Sequence, residues 1–154
     1  MRDVTEIAPG LANAGAPIEG VITAGQPGEE HLQALADAGY RTIIDLRTSQ
    51  EERGYDEPAT ARHAGMEYIN LPVGPESLDG TKIERFRELM NDADRRPALV
   101  HCSSANRVGA LLMPYMILDE DKSREEATRI ARQIGLKSNE LEQKVLEYAR
   151  SNGG

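Results

Sequence analysis

Cysteine is nearly absent from this chain, with one thiol, Cys102, in 154 residues. A single cysteine forms no internal disulfide, and no pair of Cys and His residues has the spacing of a zinc site. Neither staple is available to the fold, and no metal or other cofactor is expected. Tryptophan is missing, phenylalanine occurs once, and the five tyrosines show no stacking pattern along the chain. Positive charge is scarce too: 18 Lys and Arg stand against 26 Asp and Glu, for a net charge of -8. Such a chain repels polyphosphate at long range and lacks the basic field of a nucleic-acid binder. No apolar run approaches the roughly 18 residues of a membrane span, and the opening MRDVTEIAPG has neither the basic nor the apolar part of a leader. The expectation is a soluble protein of the cytoplasm, or of the periplasm where a leader has been removed, with no membrane and no nucleic-acid partner.

What is present is an alternation of short apolar runs with amphipathic segments, the pattern of an α/β domain whose sheet is largely parallel. At this length one domain, residues 1–154, is expected, and it has no internal repeat. The Gly- and Pro-rich opening carries a short strand at 21–23 and reads as an edge hairpin. Residues 29–38 place Leu32, Leu35 and Ala36 on one helical face, stopping at Gly39. Strands are expected at 42–46, 66–71 and 97–101. A helix follows Pro58 and closes at Gly65, and another begins at Thr81, where Glu84 completes a capping box and Ile83, Phe86, Leu89 and Met90 form a core stripe ending near Asp94. Three helices complete the chain over 107–118, 123–134 and 138–150, with Ser123 and Ser138 as N-caps. The architecture expected is a central, mainly parallel sheet of four to five strands flanked by helices, with further helices at the C-terminal end.

The stretch LVHCSSANRVG at 99–109 lies where a buried strand hands over to a helix, the position at which α/β proteins bind anions. There the backbone amides of Ser103, Ser104, Ala105, Asn106 and Arg107 would line a small bowl. The positive end of the helix and the Arg107 guanidinium lie beside the sulfur, and both favour thiolate over thiol. Arginine also offers a planar fork that meets two oxygens of a tetrahedral oxyanion at once. Covalent chemistry on phosphate, or on a sulfur oxyanion, is the reading these residues support.

His101-Cys102, four intervening residues and Arg107 at such a turn resemble the phosphate-binding loop of cysteine-dependent phosphatases of the dual-specificity and protein-tyrosine type. The series ITAGQP at 22–27, AGYRTIIDLR at 38–47, AGMEYINLPV at 64–73 and VHCSSANRVGALL at 100–112 is similar to the bacterial phosphatase-like family sometimes found fused to β-lactamase-like hydrolases. The resemblance covers about residues 10 to 150 and implies a cysteine-phosphatase-like fold. It implies hydrolysis of a phosphate monoester through a phosphocysteine on Cys102, with Arg107 and the loop amides as the phosphate cradle and His101 orienting the loop. The side chains of Ser103 and Asn106 would hold the loop's shape. The partner implied is a phosphorylated protein or a small phosphorylated molecule, with phosphate or sulfate as simple ligands, although the net charge argues against highly acidic substrates such as phosphoinositides. The chain departs from the common pattern in three places. Its loop has four residues between Cys and Arg rather than five, Val108 stands where a Ser or Thr is usual, and Gly74 stands where an aspartic general acid is expected. Glu76 and Asp79 are the nearby carboxylates for that acid role, with Glu76 favoured, whereas Asp79 beside Gly80 also reads as a residue that caps or precedes the helix at Thr81.

Two other functions fit the same loop. Its length matches that of single-domain rhodaneses, which carry sulfur as a persulfide, and a loop that no longer turns over would serve as a phosphate- or oxyanion-binding module. Each residue also has a plain structural reading. Cys102 is then an inert buried thiol, His101 a satisfied core histidine, and Arg107 a helix-start arginine paired with Asp45 or a loop carboxylate. Asp45 and Arg47 either buttress the loop or form a surface pair. His31 and His63 read as surface residues, and the Glu pairs at 29–30 and 51–52 and the run at 118–126 as solvated faces.

Overall fold

The computed structural model describes residues 4–74 and 77–153. Strands β1 (Gly15–Ile18) and β2 (Val21–Ala24) form the antiparallel edge hairpin. Strands β3 (Thr42–Asp45), β4 (Glu67–Asn70) and β5 (Ala98–His101) complete a five-stranded sheet of order β1-β2-β5-β3-β4, in which every pairing beyond the hairpin is parallel. The helices are α1 (Val4–Ile7), α2 (Glu29–Asp37), α3 (Glu57–His63), α4 (Gly80–Met90), α5 (Asn106–Asp119), α6 (Arg124–Ile134) and α7 (Asn139–Ser151). A short turn of tighter helix lies at Ala93–Arg95. This is the α/β architecture that the alternating pattern implies.

The three central strands are buried on both faces, so their sequences are apolar runs rather than alternations. Side chains of successive residues still leave opposite faces. Val21, Ile44 and Val100 enter the cluster built with α4, α5, α6 and α7, while Ile22, Ile43 and Leu99 enter the one built with α1, α2 and α3. Helix α5 lies inside the first cluster, and Val108 through Met116 are all buried. That explains its nearly uniform apolar composition.

Local capping follows the sequence at two helices. Ser123 accepts from the Glu126 amide at 3.1 Å and Ser138 from the Leu141 amide at 3.2 Å. At α4 the capping box at Thr81 is not formed and the alternative holds: the helix begins at Gly80, and Asp79 caps it by accepting from the Lys82 amide at 3.0 Å. Asp is at least as good an N-cap as Thr, and once it takes that position Thr81 lies inside the first turn. Helix α4 also stops at Met90 rather than near Asp94. His31 is no surface residue either. Helix α2 has Gly28 as its N-cap, with no side chain to offer, and the His31 imidazole substitutes: Nδ1 accepts from the Gly28 amide at 2.8 Å and Nε2 faces the Pro9 carbonyl at 3.0 Å.

Helices α5 and α6 cross where Gly109 removes the side chain, since a Cβ there would stand 2.6 Å from the Ala131 carbonyl oxygen. Helix propensity alone predicts that Gly109→Ala stabilises by about 1 kcal/mol. The close approach reverses the sign, and urea unfolding of Gly109→Ala should instead show a loss of about 2 kcal/mol.

Candidate active site

Ala24, His101, Asp45 and Asn70 stand in one register row across β2, β5, β3 and β4. They mark the carboxyl edge of the sheet, where the chain leaves β5 and turns into α5. Cys102 is the first residue of that turn, and its amide donates to the Ala24 carbonyl at 3.3 Å. Ala105 closes the turn in the left-handed region, φ 71 and ψ 3, as the N-cap of α5. Among the described residues, no backbone carbonyl accepts from the amides of Ser103, Ser104, Ala105, Asn106 or Arg107. A left-handed residue at a helix start gathers such amides into an anion-binding concavity.

The turn is pinned on two sides. The Gln26 amide donates to the Ser103 carbonyl at 3.2 Å, and a Cβ on Gly25 would come within 2.6 Å of that same oxygen. Opposite, Asn106 Oδ1 accepts from the amides of Lys137 at 2.7 Å and Ser138 at 3.3 Å, tying the turn to the start of α7.

Arg107 is held across the mouth of the turn. Its Nη1 and Nη2 donate to the two carboxylate oxygens of Glu51, each at 2.8 Å. Nη1 also donates to the Val73 carbonyl at 2.9 Å and Nη2 to Ser103 Oγ at 3.2 Å. The Glu51 hydrogen bonds raise the Arg107 pKa against the opposing effect of burial, and the adjacent Cys102 adds to the rise. Glu51 in turn lies far below the ordinary carboxylate range. Arg107 is the main cause, outweighing burial, with the Thr48 amide and the Arg47 guanidinium assisting. Behind the turn, His101, Glu57 and Asp45 are fully buried. His101 Nε2 lies 2.5 Å from Glu57 Oε2 and 3.8 Å from Asp45 Oδ1, and Nδ1 lies 3.2 Å from the Cys102 carbonyl oxygen. Burial pushes the Asp45 carboxyl up, but His101, Arg53, Tyr68 and the Arg47 amide together hold it below its ordinary value. Among the described residues these three form the one cluster with metal-ligating donors close together. Its donors are committed to protein: Arg53 Nε donates to Asp45 Oδ2 at 2.6 Å and Gln26 Nε2 to Glu57 Oε1 at 2.6 Å.

A family model described as DSP-PTPase phosphatase fused to NAD+ kinase matches residues 18–148. The chain belongs to this family. A β-lactamase hydrolase-like protein of Xylella fastidiosa is 30% identical over 143 residues, covering 88% of this chain and 33% of the relative. The chain thus spans about a third of the length of that curated relative. Among solved structures, a DUF442 phosphatase candidate from Shewanella putrefaciens superposes with a TM-score of 0.81 at 20% identity, covering 97% of this chain and 99% of that one. PTPMT1, solved in complex with PI(5)P, superposes with a TM-score of 0.74 at 17% identity, covering 90% and 95%. Both structures share the fold of this DSP-PTPase domain.

Cys102, Ser103, Ser104 and Ala105 form the turn, with His101 at the end of β5 before it and Asn106 and Arg107 at the start of α5 after it. Cys102 is fully buried and belongs to the apolar cluster, while its neighbours Ser103 and Ser104 line a cleft of about 430 Å³ with Thr48, Glu51, Gly74, Asn106, Arg107 and Leu141. Asp79 is not brought there; it is committed to the cap of α4 and borders a separate hollow with Lys144 and Tyr148. Glu76 lies outside the described residues. Asp45 and Arg47 are not a surface pair. Asp45 is buried, and Arg47 donates through Nη1 to Gln26 and through Nε to Glu51. Sequence reasoning missed Glu51 and Glu57, having read the first as part of a solvated pair. The signal available for Glu51 was its place shortly after a buried strand that ends at the same sheet edge.

Because the folded pKa of Glu51 is lowered, its ion pair stabilises the fold fully above the unfolded carboxylate value near 4.5 and is lost as pH falls through the folded value. The stability difference between wild type and Glu51→Gln, measured by urea unfolding, should therefore be largest above pH 5 and shrink steadily toward pH 2. A constant difference over that range contradicts the pair.

Proposed function

We propose that this domain hydrolyses a phosphate monoester through a covalent phosphocysteine. The observation that carries the reading is the Arg107 fork, fixed by Glu51 beside Cys102 and a turn whose amides donate to no backbone carbonyl among the described residues. Membership of the DSP-PTPase family supports it.

In the proposed reaction the Cys102 sulfur attacks phosphorus while the bond to the leaving oxygen breaks. The turn amides and Arg107 hold the charge that spreads over the remaining phosphoryl oxygens. A carboxylic acid protonates the leaving oxygen, and Glu76 is assigned that role. Gly74 lines the cleft, the Val73 carbonyl is bound to Arg107, and Asp79 is already committed to α4. Glu76, then a carboxylate, takes a proton from water as that water attacks phosphorus and the sulfur leaves, releasing phosphate and regenerating the thiolate.

The substrate class follows from the cleft wall. Arg107 is the one cationic side chain among its described lining residues, and Glu51 balances it. A single phosphate on a protein or a small molecule suits this wall better than a ligand with several phosphates.

Cys102→Ser should abolish hydrolysis of an aryl phosphate while leaving the affinity for tungstate, a phosphate mimic, largely intact. Full hydrolysis in that variant would end the proposal, and sulfur transfer from thiosulfate to cyanide outpacing phosphate release would replace it with a sulfurtransferase. Separately, Glu76→Gln should lower kcat for the aryl phosphate by about a hundredfold with little change in tungstate affinity. An unchanged kcat removes Glu76 from the acid role.

A further inference from the structure

We infer that Glu57 is a positioning residue for this site, holding the His101 ring so that Nδ1–H is donated to the carbonyl oxygen of Cys102. The importance of that contact for turnover rests on the phosphocysteine reading, whereas the state of the ring is open to direct measurement.

The argument begins with a count of protons. His101 Nδ1 faces the Cys102 carbonyl at 3.2 Å, and Nε2 faces a Glu57 carboxylate oxygen at 2.5 Å. Both neighbours are acceptors, yet a neutral imidazole carries one N–H. Were that proton on Nε2 alone, the Nδ1 lone pair would point at the carbonyl oxygen beneath the nucleophile. Both contacts are satisfied when Nδ1 carries a proton and a second proton lies between Nε2 and Glu57 Oε2.

A count of charge gives the same answer. Two carboxylates, Asp45 on β3 and Glu57 on α3, are buried against the ring. Arg53, from the loop before α3, lies 2.6 Å from Asp45 and 4.0 Å from Glu57. The other polar groups that face this pair carry no charge: Tyr68 on β4 donates to Asp45, Tyr55 donates to the Pro27 carbonyl, and Gln26 donates to Glu57. Two negative charges against one guanidinium would leave a net buried anion directly behind the sulfur. The second proton brings the group to neutrality, as a buried cluster requires.

Glu57 also connects the two halves of the site. Its Oε1 accepts from Gln26 Nε2 at 2.6 Å, Gln26 Oε1 accepts from Arg47 Nη1 at 2.7 Å, and Arg47 Nε donates to Glu51 at 3.1 Å. Glu51 is the partner of Arg107. One line of hydrogen bonds therefore runs from the carbonyl under the nucleophile to the anion clamp, and Glu57 is its link to His101.

Substitutions separate positioning from mere packing. In Glu57→Gln the amide oxygen still accepts from Gln26, the amide nitrogen donates to a bare Nε2, and Nδ1–H stays on the Cys102 carbonyl with the cluster neutral. Glu57→Ala removes both contacts. Nitrogen-15 spectra of the histidine rings should show Nδ1 of His101 protonated in wild type and in Glu57→Gln, and a mixture of tautomers in Glu57→Ala. Aryl phosphate turnover should fall about tenfold in Glu57→Ala and be rescued to near the wild-type rate in Glu57→Gln. A bare Nδ1 in the wild-type ring overturns the inference, as does an alanine variant with unchanged tautomer and rate, or a glutamine variant as impaired as alanine. If Glu57→Ala does not fold, the wild-type ring spectrum and the Glu57→Gln rate decide. A wild-type protein with no phosphatase activity but a protonated Nδ1 would refute the enzymatic reading and leave the ring assignment standing.

Discussion

The bidentate ion pair between Glu51 and Arg107 is the constraint on which the whole mouth of the sheet depends. An arginine at the second residue of α5 stands at the positive end of a helix, where the dipole disfavours it and hydration would draw it outward. Glu51 reverses that preference. With Val73 and Ser103 it takes two bonds from Nη1 and two from Nη2, so the guanidinium plane has one orientation. Of these four bonds the contact to Ser103 Oγ is the longest at 3.2 Å.

Such a pair is costly to desolvate, and its surroundings offset part of that cost with further hydrogen bonds. Thr48 donates to Glu51 through its amide and its hydroxyl, and Arg47 donates from the opposite side. The ends of β2, β3, β4 and β5 are thereby joined by side chains as well as by the sheet. Polar networks of this kind contribute geometric uniqueness more than net stability. Stability has another source, the apolar cluster around α5, to which the Val73 side chain belongs while its carbonyl accepts from Arg107. The two are joined at the turn, where Cys102, Ala105 and Val108 belong to the apolar cluster while Arg107 belongs to the clamp.

This division explains what the sequence revealed and what it concealed. The turn itself was legible because its information is local: an apolar strand, a short polar turn and a helix, with cysteine and arginine at fixed spacing. The parallel sheet was legible from runs such as TIID and ALVH, whose burial on both faces leaves them apolar throughout. Glu51 and Glu57 were hidden because their partners lie 56 and 44 residues away along the chain. In composition the pair at 51–52 is indistinguishable from the pair at 29–30, and only the fold places one of its members under Arg107. The start of α4 was ambiguous for the opposite reason. Asp79 and Thr81 are both competent caps two residues apart, and local rules do not choose between them.

The four-residue spacing between Cys102 and Arg107 has its own structural basis. A short turn must reverse direction abruptly to meet the helix, and it does so at Ala105, whose positive φ of 71 would suit glycine better. An alanine held there costs about 1 kcal/mol, so something outside the turn must hold it. Gly135, at the end of α6, is close enough that a Cβ would stand 3.1 Å from both the Ala105 methyl and the Ser104 carbonyl oxygen. Its missing side chain makes room for the methyl, while Asn106 ties the next residue of the turn to the start of α7. The junction of α6 and α7 is thus the outer wall of the turn. Residues far beyond the cysteine motif fix the turn's shape and hold the strained backbone at Ala105.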